Sequence, residues 1–423
     1  MQNKEKAWIW YDVANSAFVL IITTTLMPLF FKNYAARELA LSESTAYWGF
    51  TVSLSSLMVA LLAPLLGTMA DYKNKKKVFF IRAVIIGVGA TFLLVGVNAS
   101  QWLLCAVIYF TARTAYSAAN IFYDSFLTDV TSPQRFNKIS GYGFAYGYIG
   151  SVIPFLLAVA ALFTARALTS GSGFPGIGYK IAFIITGCWW ALFTIPFIKH
   201  VKHSHYIRRK KNLWRHSWQR LRKTFKKIKK YRNIFLFLLA YFFYIDGVYT
   251  IISMAMAYGI DQGLSYTVLI SVILLIQLLG WPCALLFVYL AQKTGVKRML
   301  YTGIITYLLL TVIAFFLPLL ETAAEKIFIF IVMGVMTAFA QGGLQSLSRS
   351  FYAGMIPRKE AAEFFGFYNI FGKFAAILGP ALMAVTIRLS GRTEYGVLSI
   401  ILLFAAGIIF LSMVKEKRNY LRW

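Results

Sequence analysis

Apolar residues in this chain run in long blocks between short polar loops, rather than alternating as in a half-buried strand. Twelve blocks of about 20 residues can be marked, at 7–31, 46–70, 78–98, 101–123, 140–164, 178–198, 234–258, 266–291, 299–320, 326–347, 364–387 and 394–414. At about 1.5 Å per residue, each is long enough to cross the roughly 30 Å hydrocarbon core of a bilayer. Helices are the spanning structure such blocks allow, because a β-barrel shows short dyad-repeat segments instead. Pro28, Pro64, Gly87, Gly147, Pro282, Gly334 and Gly379 fall inside blocks, where spanning helices use them for kinks and close packing. The expected fold class is an all-α membrane protein with twelve transmembrane helices.

Composition changes this picture little. Of 423 residues, 59% are hydrophobic and 14% charged, whereas soluble chains run near half apolar and a quarter charged. Cys105, Cys188 and Cys283 lie inside apolar blocks without paired spacing, which argues against a disulfide framework or a zinc site. The short basic start, Met1 to Lys6, leads straight into the first block with no small-residue cleavage site after it, so that block reads as a retained span.

Charge sets orientation. The short loops holding Lys73, Lys75, Lys76 and Lys77, Arg135 and Lys138, Lys293, Lys297 and Arg298, and Arg358 and Lys359 all fall on one side of a twelve-span layout. The positive-inside rule makes that side cytoplasmic and puts both termini there, in the plasma membrane. The long polar segment 199–233 carries no Asp or Glu and holds most of the net charge of +28. It divides the chain into a six-span bundle at 1–198, a basic linker at 199–233 and a second six-span bundle at 234–423. Trp214, Trp218, Leu221, Phe225 and Ile228 recur at helical spacing within it, with Lys and Arg on the other faces. Such a helix is expected to lie on anionic lipid. Nucleic acid is the competing partner for so basic a stretch, but tethering to the membrane at both ends argues against it. His200, His203 and His205 have no acidic or Cys companion in the linker, so no metal is expected there.

The two halves repeat. Ser125-Phe126 and Gly141 through Gly147 align with Ser350-Phe351 and Gly366 through Gly372 at a constant offset of 225 residues. Six spans apart, the copies have the same orientation and are parallel repeats. After the second block the chain reads Gly67-Thr-Met-Ala-Asp71-Tyr-Lys73-Asn-Lys75-Lys76-Lys77. Gly67 suits a close helix approach, Asp71 suits a helix end or a cation, and the basic run suits the leaflet. Asn74 tolerates a left-handed turn. This loop resembles the major facilitator signature, with Asn74 where that family usually has Gly. The symmetric loop keeps Gly295 but carries Gln292 in the Asp position. The resemblance implies that Gly67, Asp71, Lys73, Lys75 and Lys76 latch one state of a rocking molecule; a merely topogenic basic loop is the plainer reading.

Two longer stretches narrow the resemblance. Trp8-Ile-Trp-Tyr11-Asp12-Val-Ala14-Asn15-Ser16-Ala17-Phe18 is one. Gln341-Gly342-Gly343-Leu-Gln345-Ser346-Leu-Ser348-Arg349-Ser350, with Glu363-Phe364-Phe365-Gly366 and Gly372-Lys373-Phe374 through Gly379-Pro380, is the other. Both resemble the bacterial transporters related to the fungal autophagy-linked vacuole effluxers, which implies secondary transport and, from the fungal branch, amino-acid efflux.

Ionisable residues inside spans cost at least about 2.5–3.5 kcal/mol each and invite a functional reading. Asp12 shares a face with Asn15; Arg113 with Tyr116, Ser117 and Asn120; Asp246 with Tyr249, Thr250 and Ser253; Gln341 with Gln345 and Ser348; and Lys373 lies in span eleven. These residues are expected to line the path of a small-molecule substrate. Asp246 or Asp12 would take a coupling proton, and Arg113 or Lys373 would hold an anionic group. The plainer alternative is an ion pair that locks the halves. No phosphate-cradling Gly-rich loop is present, so neither ATP nor another cofactor is expected. No HExxH, GxSxG or Cys/His arrangement supports an enzyme. A lipid or lysolipid flippase of the same fold, or a receptor or scaffold that moves nothing, are the other readings.

Overall fold

A computed structural model describes residues 1–39, 41–169, 176–207, 216–219, 223, 231–390 and 392–415. Of the expected amphipathic linker face only Trp218 is among them, and it is exposed; Trp214, Leu221, Phe225 and Ile228 lie outside the described residues.

Twelve long helices follow one another among the described residues: α1 Asn3–Ala35, α2 Leu41–Ala70, α3 Lys75–Leu93, α4 Trp102–Ser125, α5 Phe136–Leu168 and α6 Gly176–His200, then α7 Arg232–Asp261, α8 Tyr266–Thr294, α9 Val296–Phe316, α10 Ala323–Met355, α11 Ala361–Ser390 and α12 Glu394–Ser412. Ten are long and apolar enough throughout to cross a membrane. In α4, Arg113, Asp124 and a run of Thr, Ser and Asn dilute the apolar character, and α11 offers only the shorter apolar stretch Leu378–Ile387. The one β feature among the described residues is an isolated parallel bridge between Tyr72 and Ile207.

Several helices outlast their apolar blocks, and there hydroxyls bond back to carbonyls of their own helix. At the end of α10, Ser348 Oγ donates to Leu344 O at 2.6 Å and Ser350 Oγ to Leu347 O at 3.1 Å. The helix therefore runs to Met355 rather than stopping at 347. In α1, Phe18–Leu26 winds into wide π turns. There Thr24 and Thr25 hydroxyls donate to carbonyls five residues back, and Pro28 follows without an amide to donate. Asn74 sits at φ 61°, in the left-handed conformation expected of it.

The chain forms two compact units. The first gathers the described parts of Met1–Val130, Tyr146–Ser217 and Arg358–Gly366; the second gathers those of Thr131–Ala145, Trp218–Pro357 and Phe367–Trp423. Packing within each follows one scheme: α1 on α6, α3 on α4, α2 on α4 and α3 on α6 in the first, and α7 on α12, α9 on α10, α8 on α10 and α9 on α12 in the second. Single contacts repeat as well. A Cβ at Gly147 would press on Ser16 and one at Gly372 on Tyr241; a Cβ at Gly366 would press on Ala63 and one at Gly141 on Val288. Both pairings preserve the 225-residue offset read from the sequence.

Candidate functional site

The first unit gathers polar residues of α1, α2 and α4. Asn15 Nδ2 donates to Asn120 Oδ1 at 3.2 Å, which ties α1 to α4. Asp12, one turn before Asn15, is buried at 6% exposure. Tyr116 stacks on Phe18 with ring centroids 4.9 Å apart. Arg113 is half-buried; its Nη1 lies 3.3 Å from Tyr109 Oη, and its Nη2 reaches Ser56 Oγ on α2 at 3.5 Å, the outer limit of a hydrogen bond. The aromatic residues of the opening motif have a packing role. Trp8 stacks on Tyr123 at 4.5 Å and donates its indole N–H to Tyr123 O, while Tyr11 is buried against Phe80, Tyr123 and Phe197.

In the second unit Asp246 is fully buried on α7. Both its carboxylate oxygens accept the Gly379 N–H, at 3.0 and 3.1 Å, and Thr250 Oγ1 stands 3.5 Å away. Only glycine fits at 379, since a Cβ there would overlap the Thr250 hydroxyl. Tyr244 and Ser348 share a 2.6 Å hydrogen bond between α7 and α10. Tyr249, Gln341 and Gln345 are half-buried. Lys373 belongs to the α11 backbone, but its side chain lies outside the described residues.

Two contacts join stretches far apart in sequence. In the first unit Asp71, just past α2, meets the start of α11: Oδ1 accepts from Ala362 N at 2.8 Å and Oδ2 from Glu363 N at 3.1 Å. The first amides of a helix have no acceptor within it, and their partial positive charge favours a carboxylate. Gly67 permits the approach, since a Cβ there would overlap the Ala362 carbonyl oxygen. In the second unit α10 meets the first turns of α5. Arg349, 3% exposed, donates Nε to Ser140 Oγ at 2.9 Å and Nη2 to Ser140 O at 3.1 Å, and its guanidinium stands 4.6 Å from the Phe144 ring centre. Ser140 Oγ in turn donates to Ser346 O at 2.8 Å, and Ser350 Oγ to Asn137 Oδ1 at 2.6 Å.

The basic run does not act as one body. Lys73 is exposed and Lys75 half-buried, but Lys76 is fully buried, with Nζ 2.9 Å from Asp129 Oδ2. The leaflet role expected of the run therefore excludes Lys76, which is spent on an internal ion pair. Asp129 Oδ1 also accepts from Ser204 N at 2.9 Å and His205 N at 2.7 Å, with His205 Nδ1 at 3.1 Å. Burial pushes the Asp129 carboxyl up, but the Lys76 ammonium and the His205 hydrogen bond outweigh it and hold the group down at about 2. Burial, helped by Lys76, pushes the neighbouring His203 imidazole down to about 4. Two residues on, Ile207 N donates to Asp71 O at 2.9 Å and Lys73 N to Ile207 O at 3.0 Å. His200 Nδ1 meets a carbonyl of its own helix, Pro196 O, at 3.0 Å.

Asp129, Ser140 and Ile207 were not legible as site residues. The linker's lack of acids hid the fact that an acid from the loop after α4 receives it. Arg349 was visible inside a motif but carried no assigned role; its signal was a basic residue within an otherwise small and hydroxylated stretch.

Residues 40–421 match the family model described as vacuole effluxer Atg22 like. The MFS-type transporter YxiO of Bacillus subtilis (strain 168) is 44% identical over 417 residues, covering 98% of this chain and 96% of that protein. Autophagy-related protein 22-1 of Aspergillus clavatus is 22% identical, over 88% of this chain and 74% of its own length. Among solved structures, the outward-conformation major facilitator transporter FucP superposes with a TM-score of 0.71 at 12% identity, over 98% of each chain. A bacterial homologue of the iron transporter ferroportin, in an outward-facing state, does so with a TM-score of 0.69 at 14% identity, again over 98% of each. With its helix order, its repeated packing scheme and a match over nearly its whole length, this multi-pass membrane chain belongs to the Atg22-like family of major facilitator transporters.

Proposed function

We propose that the chain is a secondary active transporter which moves a small zwitterion, such as an amino acid, across the plasma membrane by proton-coupled alternating access, with both termini cytoplasmic. The observation that carries this reading is Asp246. It is a fully buried carboxyl within a spanning helix, and neutral groups donate to it: the Gly379 and Leu378 amides and the Thr250 hydroxyl. A buried acid in a span is costly to keep and is the kind of group that proton relays use. Its hydrogen bond joins α7 to α11, so loading a proton there alters a helix contact as well as a charge. Asn15, Asn120, Tyr116 and Arg113 in the first unit, and Tyr249, Gln341, Gln345 and Lys373 in the second, are the residues assigned to the substrate path, with Asp12 as the second acid. Amino-acid efflux rests on the resemblance to the effluxer family and on the balance of two acids against two bases.

Asp71 supplies the latch. It precedes the linker in sequence, whereas Ala362 and Glu363 follow it, so rocking of the six-span halves would make and break this contact once per cycle. Counterflow of labelled amino acids in proteoliposomes tests the reading. Wild type should exchange solute and accumulate it when a proton gradient is imposed. Asp246→Asn should keep exchange and lose gradient-driven accumulation. Accumulation undiminished in Asp246→Asn would remove the proton role, and no exchange of any amino acid by wild type would remove the substrate class.

A further inference from the structure

We propose that the start of the central linker, Ser204–Ile207, is a positioning strap for the Asp71 latch, held in place by Asp129; the inference rests on the alternating-access reading above. The helix α2 ends at Ala70, so the Asp71 carbonyl is one of the terminal groups a helix leaves without an internal partner. The linker supplies the missing donor, through Ile207 N at 2.9 Å. Lys73 N returns a bond to Ile207 O at 3.0 Å, so the backbone on both sides of Tyr72 is pinned in a parallel bridge. The other end of Asp71 is fixed by its own amide, which donates to Gly67 O at 3.2 Å. With N–H and C=O both held, the Asp71 backbone is fixed at the place from which its carboxylate reaches the α11 amides.

The strap is itself anchored. One buried carboxylate, Asp129, receives the Ser204 and His205 amides, the His205 imidazole and the Lys76 ammonium. Lys76 lies in the first turn of α3, on the far side of the Asn74 turn, so Asp129 ties that end of the latch loop to the linker. Lys73 adds a cation–π contact, with Nζ 5.5 Å from the Tyr206 ring centre. The linker thus lies against the loop that carries Asp71 through the Ile207 backbone and the Tyr206 ring, while Ser204 and His205 are anchored to Asp129. The linker is then part of the gate and not only a tether between bundles. Asp129 and Ile207 are positioning residues that act through Asp71.

Amide exchange on the full-length protein in nanodiscs reads this directly. Ala362 and Glu363 donate their amides to the Asp71 carboxylate, so their protection reports whether it is in place. Ile207→Pro deletes one donor and leaves the Ile207 carbonyl. It should speed exchange at Ala362 and Glu363 at least ten-fold, while exchange in α7, α9 and α12 stays unchanged. Asp129→Asn should do the same and also expose the Ser204 and His205 amides. A role confined to local stability would expose Ser204, His205 and Lys73 but leave Ala362 and Glu363 protected, and that result overturns the proposal. If Ile207→Pro does not fold, the Asp129→Asn comparison decides in the same way. Counterflow on the wild type remains separate: a chain that exchanges no solute sinks the transporter reading whatever the amides show, and a transporter whose α11 amides ignore the strap sinks only this one.

Discussion

The contact around Asp71 and the contact around Arg349 meet the starts of two helices that the repeat pairs, α11 and α5, but they come from different helices, α2 and α10, and their chemistry is inverted. In the first unit an anion meets the positive start of α11 and accepts from two of its backbone amides. In the second a cation meets the first turns of α5 and bonds to a hydroxyl and a carbonyl, backed by an aromatic ring. The helix-start contact depends on backbone position, and so it needs a glycine at 67 and a strap to hold the loop. The guanidinium contact carries its own geometry in a planar fork and needs neither. Two parallel repeats can therefore keep one helix scheme while the polar contacts that punctuate it diverge.

The glycines give the largest expected break between the two. Gly67→Ala puts a Cβ into the Ala362 carbonyl and against Glu363 Cα, and backbone cannot rotate away. Both Asp71 bonds should be lost, at about 1.5–3 kcal/mol each for bonds to a charged group, with exchange at Ala362 and Glu363 rising about a hundred-fold or more. Gly141→Ala meets only the Val288 side chain, which can turn. That change should cost about 1–3 kcal/mol of overpacking and leave the Ser140 contact protected. Equal effects at the two glycines would erase the distinction.

Next in size is Arg349→Ala, which leaves the Ser140 carbonyl and hydroxyl without their donor in a buried place. We expect a loss of about 2–4 kcal/mol in thermal unfolding, with slower counterflow. Arg349→Lys restores charge but not the fork, so it should fall between wild type and alanine; full rescue by lysine would show that the fork is irrelevant. Asp71→Asn is milder, at about 1–2 kcal/mol, because the amide oxygen still accepts one N–H while the charge–dipole attraction is gone. It is checked by the same exchange at Ala362 and Glu363.

How far these features were readable follows from the physics of each. The helices were legible because apolar blocks of bilayer length have one solution. The left-handed turn at Asn74 and the close approach at Gly67 were legible because few residue types tolerate them. The helix α10 outlasts the apolar block that ends at 347, where Ser348 and Ser350 bond back to their own helix and Arg349 bonds to Ser140 on α5, since hydropathy falls before helicity does. Lys76 looked like its exposed neighbour Lys73; only the fold reveals that Asp129, fifty-three residues away, buries it. Asp12, Asn15, Arg113 and Asp246 were picked out by the cost of polarity in a span. The Asn15–Asn120 and Asp246–Gly379 bonds were not, because a bond across helices depends on register that no single span encodes.

The smallest expected effect separates the two contacts by pH. His203 lies against Phe126 and Tyr206, with Lys76, Asp129 and His205 as its charged or titratable neighbours, and its imidazole is pushed down to about 4. A group whose folded value lies below its ordinary 6.5 contributes stability that is fully present above pH 6.5 and is lost as pH falls toward 4. Asp129, held at about 2, contributes fully above its ordinary 3.8 and fails only below that, so of these two groups it is His203 that responds in mild acid. The Arg349 contact uses a guanidinium that stays charged throughout, with neutral acceptors on Ser140. Lowering the pH from 7 to 5 should therefore speed exchange, after correction for the intrinsic rate, roughly three- to ten-fold in peptides covering residues 203–207, with a smaller rise at Ala362 and Glu363. Peptides covering residues 346–350 should not change. His203→Phe, which cannot take a proton, should flatten the response in the first unit; a response of the same size in both units would mean that acid loosens the whole molecule and that His203 has no special part in it.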